Sequence, residues 1–228
     1  MTDLTEQLAR LRARIENAAR VADRDPAEVR LVAVSKTRSA DEVLAVAAAG
    51  QRDFGENRLQ EALDKIAACR QRPLCWHFIG QLQANKTRQV AEHFDWVHSL
   101  DRLRIARRLS EQRPAALAPL NVCLQVDLGG ETQKAGVAPE AASELAHAVA
   151  ALPRLRLRGL MCLPPAPDAP GDSRPYFRRL RELCDTLRAE GLDLDTLSMG
   201  MTADLEDAIA EGATLVRVGT ALFGTRNP

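Results

Sequence analysis

Lys36 follows the apolar run Leu31-Val-Ala-Val34, and a lysine ending such a run is a residue placed to do chemistry. Partial withdrawal from water favours the neutral amine, the nucleophilic form of the side chain. Two later segments, Ser198-Met-Gly-Met-Thr202 and Arg217-Val-Gly-Thr220, each combine small residues, a hydroxyl and backbone N–H groups at the start of a helix. That combination receives a phosphate dianion, because the unpaired amides and the helix dipole both favour negative charge. Gly200 and Gly219 let the backbone come close to such a group. Each signal has an ordinary structural explanation: a salt bridge for Lys36, helix caps for Ser198 and Thr202, a tight turn for Gly219. Together they point to a Schiff base between an amine and a phosphorylated aldehyde.

The elements that must position these residues are read from periodicity. Leu4, Leu8, Leu11 and Ile15 form a one-sided apolar stripe, which predicts an N-terminal helix within residues 1–24, stopped by Asp25-Pro26 and packed on the remainder of the domain. Short apolar runs then alternate with helical stretches. The runs are Arg30–Ser35, Asp53–Gly55, Cys75–Ile79, Trp96–Ser99, Leu120–Val126, Leu157–Met161, Asp195–Ser198 and Thr214–Val218. The helices are Asp41–Ala49, Glu56–Ala68, Leu103–Glu111, Glu140–Ala151, Tyr176–Arg188 and Ala203–Ala210, with Gly50, Gly191 and Gly212 where three of them should end. Eight strands alternating with helices favour closure into a single (β/α)8 TIM barrel over residues 1–228. The first strand is followed by Ser35-Lys36-Thr37-Arg38. That turn lacks the glycine-rich signature of a doubly wound nucleotide fold. Arg154, Arg156 and Arg158 alternate with leucines, a half-exposed pattern that reads as an approach to the sixth strand. Pro164–Gly171 reads as a proline-rich loop on the rim.

Composition narrows the partners. Thirty-one Lys and Arg balance 31 Asp and Glu, so no basic excess recommends nucleic acid. The five cysteines form no C-x-x-C pair, which suggests neither a disulfide framework nor zinc and fits a reducing, cytoplasmic setting. His77, His93, His98 and His147 show no ligand spacing, so no metal is expected. No apolar leader and no membrane-length apolar run is present, so no membrane partner is expected.

Ala33-Val-Ser-Lys-Thr37, Phe54-Gly-Glu-Asn57, Trp76-His-Phe-Ile-Gly80, Lys134-Ala-Gly136, Arg158-Gly-Leu-Met161, Leu197-Ser-Met-Gly-Met201 and Val216-Arg-Val-Gly-Thr-Ala-Leu-Phe-Gly224 occur in this order along the chain. In these blocks the sequence resembles the pyridoxal phosphate homeostasis proteins, which look like the barrel half of alanine racemase. The resemblance implies pyridoxal 5′-phosphate (PLP) as cofactor and Lys36 as its Schiff-base lysine. It implies that Ser198, Gly219 and Thr220, with the amide of Met199, hold the phosphate and that Arg217 faces the pyridine nitrogen. Asn57 and His77 match family motifs near the ring. Leu128-Gly129-Gly130 and Ala135 depart from common family patterns, which leaves the role of Lys134 open.

The same residues bear on turnover. An arginine is always charged and cannot act as the acid of a ring nitrogen, so the bound cofactor would be a poor electron sink. Alanine racemase adds a tyrosine base from a second domain; here the single tyrosine, Tyr176, starts a helix after the proline-rich loop, and no second domain is expected. The resemblance therefore implies a monomeric PLP carrier acting in vitamin B6 and amino-acid homeostasis, with apo PLP-dependent enzymes as recipients. The alternatives are a racemase of a small amino acid working from one face with Lys36 and water, and an interaction module using the N-terminal helix and the rim loop.

Overall fold

The structure is a computed structural model and describes residues 3–129, 135–165 and 172–224. Its strands are β1 (Arg30–Val34), β2 (Asp53–Glu56), β3 (Cys75–Phe78), β4 (Trp96–Leu100), β5 (Leu120–Gln125), β6 (Leu155–Met161), β7 (Thr196–Ser198) and β8 (Leu215–Val218). All neighbours are parallel, and β1 pairs with β8, so the sheet closes in sequence order into the expected barrel. Its helices are α1 (Leu4–Val21), α2 (Ala40–Ala48), α3 (Leu59–Ala68), α4 (Thr87–His93), α5 (Leu103–Gln112), α6 (Ala142–Ala150), α7 (Arg174–Ala189), α8 (Leu205–Ala210) and α9 (Thr220–Phe223). Lys134 and most of the Pro164–Gly171 loop lie outside the described residues.

α1 forms where the apolar stripe predicts it. Asp3 caps the helix by accepting from the Thr5 amide, and Leu8, Leu11, Ile15, Ala18 and Ala19 are buried. The helix packs against α2, α8 and α9. Arg24, just past its end, donates to the carbonyls of Ile209 and Ala213 at 2.8 and 2.9 Å. Those bonds tie the chain to the end of α8, directly before β8. Among the described residues no helix is long and apolar enough to cross a membrane.

The apolar residues divide between two cores. The larger lies between the strands and their helices. The smaller is inside the barrel: Val32, Trp96, Cys123, Met161 and Leu215, with Cys75 packed against them. The remaining inward positions are unusually polar, with His77, His98, Ser198 and Arg217 all buried there.

Three boundaries differ from expectation. β6 begins at Leu155, and Arg156 and Arg158 belong to it. The strand tolerates them because this end of the barrel is open to solvent: Arg156 pairs with Asp193, and Arg158 pairs with Asp195 and lies 4.9 Å over the Trp96 ring. The register slips between Val122 and Cys123, so that Cys123 pairs with Gly159 and Arg158 sits at the irregularity. α3 starts at Leu59, and Glu56 is the last residue of β2 rather than the first of a helix. The third difference is α4, a short helix outside those that periodicity predicts, whereas α9 is the helix expected to start near Gly219.

Gly159 is where β6 and β7 come closest. A Cβ there would lie 1.8 Å from the Thr196 carbonyl oxygen, an atom of the neighbouring backbone that cannot step aside. Gly159→Ala is therefore expected to lower stability by about 3 kcal/mol or more. Urea unfolding of the variant beside the parent measures it.

Candidate functional site

At the C-terminal ends of the strands a cavity of about 430 Å³ is lined by Val34, Lys36, Asn57, Ile79, Gly80, Met161, Leu163, Met201, Thr202, Ala203, Arg217, Gly219 and Thr220. That size suits a small organic cofactor. Residues from the ends of β1, β2, β3, β6, β7 and β8 meet here, the position where this fold builds its sites.

Lys36 is half-buried in the wall. Among the described residues its amine has no hydrogen bond and no ion pair, which removes the salt-bridge explanation of a lysine at this position. The backbone that carries it is held firmly. Lys65, buried on α3, donates to the Ser35 carbonyl at 2.6 Å, to Glu56 Oε1 at 2.7 Å and to Glu61 Oε1 at 2.6 Å. Ser35 Oγ donates to the same Glu56 oxygen at 2.6 Å, and the Thr37 amide donates to Glu61. Both neighbours of Lys36 are thus tied to one buried ionic cluster behind the sheet. Thr37 needs the restraint, because its φ of 66° is a left-handed conformation that a β-branched residue rarely adopts. Burial raises the Glu56 carboxyl above its ordinary range despite the bonds from Lys65 and Ser35. Burial acts the same way on Glu61, but the bonds from Lys65 and the Thr37 amide hold it below its ordinary value.

Arg217 forms the floor of the cavity and is 4% exposed. Its Nη1 donates to Ser198 Oγ at 2.6 Å and its Nη2 to the Cys162 carbonyl at 3.0 Å. Among the described residues no carboxylate forms an ion pair with it. Desolvation lowers its pKa, yet an arginine keeps its proton in proteins. A buried cation held by neutral acceptors is an invitation to an electron-rich ligand.

Behind Arg217 the polar interior continues. Ser198 Oγ lies 2.7 Å from His98 Nδ1, His98 Nε2 lies 2.9 Å from His77 Nδ1, and His77 Nε2 lies 2.9 Å from Asp53 Oδ1. Arg30 completes the string by donating to Asp53 at the opposite mouth. Burial holds both imidazoles below the ordinary histidine value, His98 most strongly, where the neighbouring His77, Arg217 and Arg30 add to it. Burial pushes the Asp53 carboxyl up, but His77 and Arg30 outweigh that and keep it below its ordinary value. Asp53 Oδ1, Cys75 Sγ and His77 Nε2 lie within 4.8 Å of one another, a grouping that sequence spacing does not reveal.

Of the residues singled out from sequence, Lys36, Asn57, Arg217, Gly219 and Thr220 line the cavity together. Ser198, Met199 and His77 do not. The Ser198 hydroxyl is engaged by Arg217 and His98, the Met199 amide donates to the Leu215 carbonyl at 3.1 Å, and His77 is one layer deeper in the barrel. Thr202 and Ala203 take the place on the wall that Ser198 and Met199 were expected to hold. One observation favours an occupant: Asn57 Oδ1 is buried without a hydrogen-bond partner. Gly219 packs close on β1, where a Cβ would meet the Val34 carbonyl oxygen at 3.2 Å. At the start of α9 the Leu222 and Phe223 amides donate to the Gly219 carbonyl, which leaves the Thr220 and Ala221 amides without acceptors within the helix.

The alanine racemase N-terminal domain, as a sequence family, matches residues 7–227. The chain is 60% identical over 227 residues to the pyridoxal phosphate homeostasis protein of Pseudomonas aeruginosa, a match covering 100% of this chain and 97% of that one. It is 49% identical over 233 residues to the protein of the same name from Escherichia coli K12, covering 100% and 98% of the two chains. The structure of PipY from Synechococcus elongatus with PLP bound is similar with a TM-score of 0.84 at 39% identity, covering 97% of this chain and 100% of that chain.

The buried charges and rings make two expectations testable. Lys65→Met leaves the Glu56 carboxylate buried without its cation and is expected to lower stability by about 3–5 kcal/mol, with much of the loss recovered when Glu56→Leu is added. Denaturant unfolding of the single and double variants tests this. For His77 and His98 the unfolded chain binds protons near pH 6.5 while the folded rings, whose pKa lies below that value, resist them. Their contribution to stability is complete above about pH 6.5 and fades as the pH falls toward their folded values, by up to about 1.4 kcal/mol per pH unit for each ring. Unfolding midpoints taken between neutral and mildly acid pH should show this decline, and a His77→Gln/His98→Gln variant should flatten it.

Proposed function

This chain belongs to the pyridoxal phosphate homeostasis protein family, and we infer that it binds PLP at the C-terminal mouth of the barrel and acts in PLP and amino-acid homeostasis as a carrier of that cofactor. The observation that carries the reading is the pairing, in one cavity, of a lysine amine and a buried arginine that, among the described residues, form no ion pair with a carboxylate. When bound, the cofactor supplies an aldehyde that condenses reversibly with a primary amine, which lets an incoming amine remove it again.

Lys36 is the amine, kept in place by the cluster that fixes Ser35 and Thr37. Gly219 and Thr220 at the start of α9, with Thr202 and Ala203 on the same cavity wall, would hold the phosphate. Ser198 acts from behind by holding Arg217. Arg217 would hold the ring nitrogen through its remaining N–H groups and, keeping its own proton, would give carbanion chemistry little help. Asn57 presents an unpartnered carbonyl oxygen to the wall, and Gly80 is packed so tightly on the Asn57 backbone that it holds this side chain's position. Tyr176, in the first turn of α7, is not part of the cavity wall, which supports carrying over racemisation. The cysteines Cys69, Cys75, Cys123, Cys162 and Cys184 are all free thiols, which supports a cytoplasmic setting.

The test is chemical trapping. Protein incubated with PLP and reduced with borohydride should carry a pyridoxyl group on Lys36 in peptide mapping, and Lys36→Ala should carry none at any cavity residue. Exchange of the Cα hydrogen of alanine in deuterated water should run no faster with the loaded protein than with free PLP. Absence of label on Lys36 overturns the binding reading, and rapid exchange overturns the carrier role in favour of a racemase.

A further inference from the structure

We propose that Asp53, His77 and His98 are positioning residues for Arg217, joined to it through Ser198 by a one-way chain of hydrogen bonds that crosses the barrel from mouth to mouth. The proposal deepens the cofactor reading and rests on it for the role of Arg217; the geometry of the chain does not depend on it.

The direction of every bond can be worked out from the ends. Arg217 can only donate, so Ser198 Oγ accepts from it. Asp53 carries a carboxylate paired with Arg30, so it can only accept, and His77 must donate from Nε2. A neutral His77 that donates from Nε2 accepts at Nδ1, which obliges His98 to donate from its Nε2. His98 then accepts at Nδ1, and the Ser198 hydroxyl proton points to it. The result is a single polarity: Arg217 to Ser198, Ser198 to His98, His98 to His77, His77 to Asp53. Both imidazoles are neutral and carry the proton on Nε2.

Asp53 therefore sets the orientation of a hydroxyl at the far end of the barrel. Were His77 to carry its proton on Nδ1, it would face the donor on His98. His98 would then turn its own proton toward Ser198, and the hydroxyl proton would be left without that acceptor. Asp53, on β2 and with its side chain 15% exposed, thus acts on the cavity floor from the opposite side of the protein. The groups that face the two rings are accounted for. Asp53, Cys75 and, at longer range, Asp95 and Arg30 surround His77, while His77, Ser198, Arg217 and Arg30 surround His98.

An apolar filling would satisfy the interior with no buried polar groups at all, as the layer formed by Val32, Trp96, Cys123, Met161 and Leu215 does. The polar string is laid instead along one line that begins at a cation in the cavity and ends at an anion at the other mouth.

Nitrogen-15 NMR of the histidine rings in cofactor-free protein reads the chain directly. Both His77 and His98 are expected as neutral rings protonated on Nε2 at neutral pH; an Nδ1–H tautomer or an imidazolium at either position overturns the proposal. Asp53→Leu is expected to release the His77 tautomer and to weaken PLP binding about tenfold, the loss of one bond to a charged group, while Lys36 is still labelled at saturating PLP. Asp53→Asn, which keeps an acceptor oxygen, should restore the tautomer and most of the affinity. His98→Leu breaks the chain nearer the cavity and serves if Asp53→Leu does not fold. A folded variant of either kind that binds PLP as tightly as the parent overturns the proposal. Failure of Lys36 to be labelled in the parent overturns the cofactor reading instead, and leaves the ring tautomers to decide the chain by themselves.

Discussion

A guanidinium buried at the centre of a barrel, with no ion-paired carboxylate among the described residues, is the constraint around which this molecule is arranged. Desolvating a cation is expensive, and the usual remedy is a paired anion. Arg217 has instead a serine hydroxyl and a backbone carbonyl, both neutral. Neutral acceptors satisfy the geometry of the side chain, and Asp204 acts on its charge without forming an ion pair. The guanidinium faces a cavity of about 430 Å³ that opens at the strand ends. The barrel can accommodate this because its stability comes from elsewhere, the continuous apolar layer between strands and helices and the seal that α1 makes against α2, α8 and α9.

The strand β2 shows how two charged devices share one short element. Its four residues alternate faces. Asp53 points inward to His77, and Glu56, three residues on and so of opposite parity, points outward to Lys65 and Ser35. Gly55 between them leaves the interior open, since a Cβ there would press on Val32 at 3.0 Å and Ile79 at 3.3 Å. The outward carboxylate fixes the backbone around Lys36, and the inward one ends the polar string that reaches Arg217. The two reactive groups of the cavity are thus steadied from opposite faces of the same sheet, by sets of charges that share no residue.

The barrel is legible in the sequence because its signal is repeated: eight runs of one period separated by helices of another leave few alternatives. Lys36, Arg217, Gly219 and Thr220 are legible because each ends a strand, and strand ends in this fold meet at one mouth. What sequence does not supply is the parity of side chains past the end of a strand. Ser198 and Thr202 stand four residues apart in the same segment, and both offer a hydroxyl. Only the short β7 and the left-handed turn at Gly200, with a φ of 91°, decide that Ser198 turns inward and Thr202 reaches the cavity. His77 matches a motif near the ring, yet its position mid-strand puts it one layer below. His98 and Asp53 carry no signal at all, because a chain of hydrogen bonds across the barrel joins residues that lie as far apart in sequence as Asp53 and Arg217. Lys65 is invisible for a related reason: on a helix with apolar neighbours it reads as a solvated face, and only the orphaned charge of Glu56 explains why it is buried. Arg156 misleads in the opposite sense, since the alternation of arginines and leucines reads as an approach to the strand but marks a strand whose first half faces open water.

The charge balance of the site also bears on the proposed carrier role. Turnover at a ring nitrogen requires a group there whose proton can come and go, and Arg217, in the proposed role beside that nitrogen, keeps its proton. Its neighbours reinforce this. Ser198, the nearest hydroxyl, has its proton committed to a neutral imidazole in the polarity derived for the string, and both histidines are kept from protonating by burial. No proton along that string is loosely held. The binding side of the account runs the other way, because an anionic, electron-rich ligand that meets Arg217 relieves the cost of a bare buried charge, and anything that binds the folded chain alone stabilises it in proportion to the logarithm of its concentration. For a carrier of PLP, a buried cation that gains an electron-rich partner on loading favours the filled cavity, and in the proposed reading release follows when an incoming amine takes the place of Lys36.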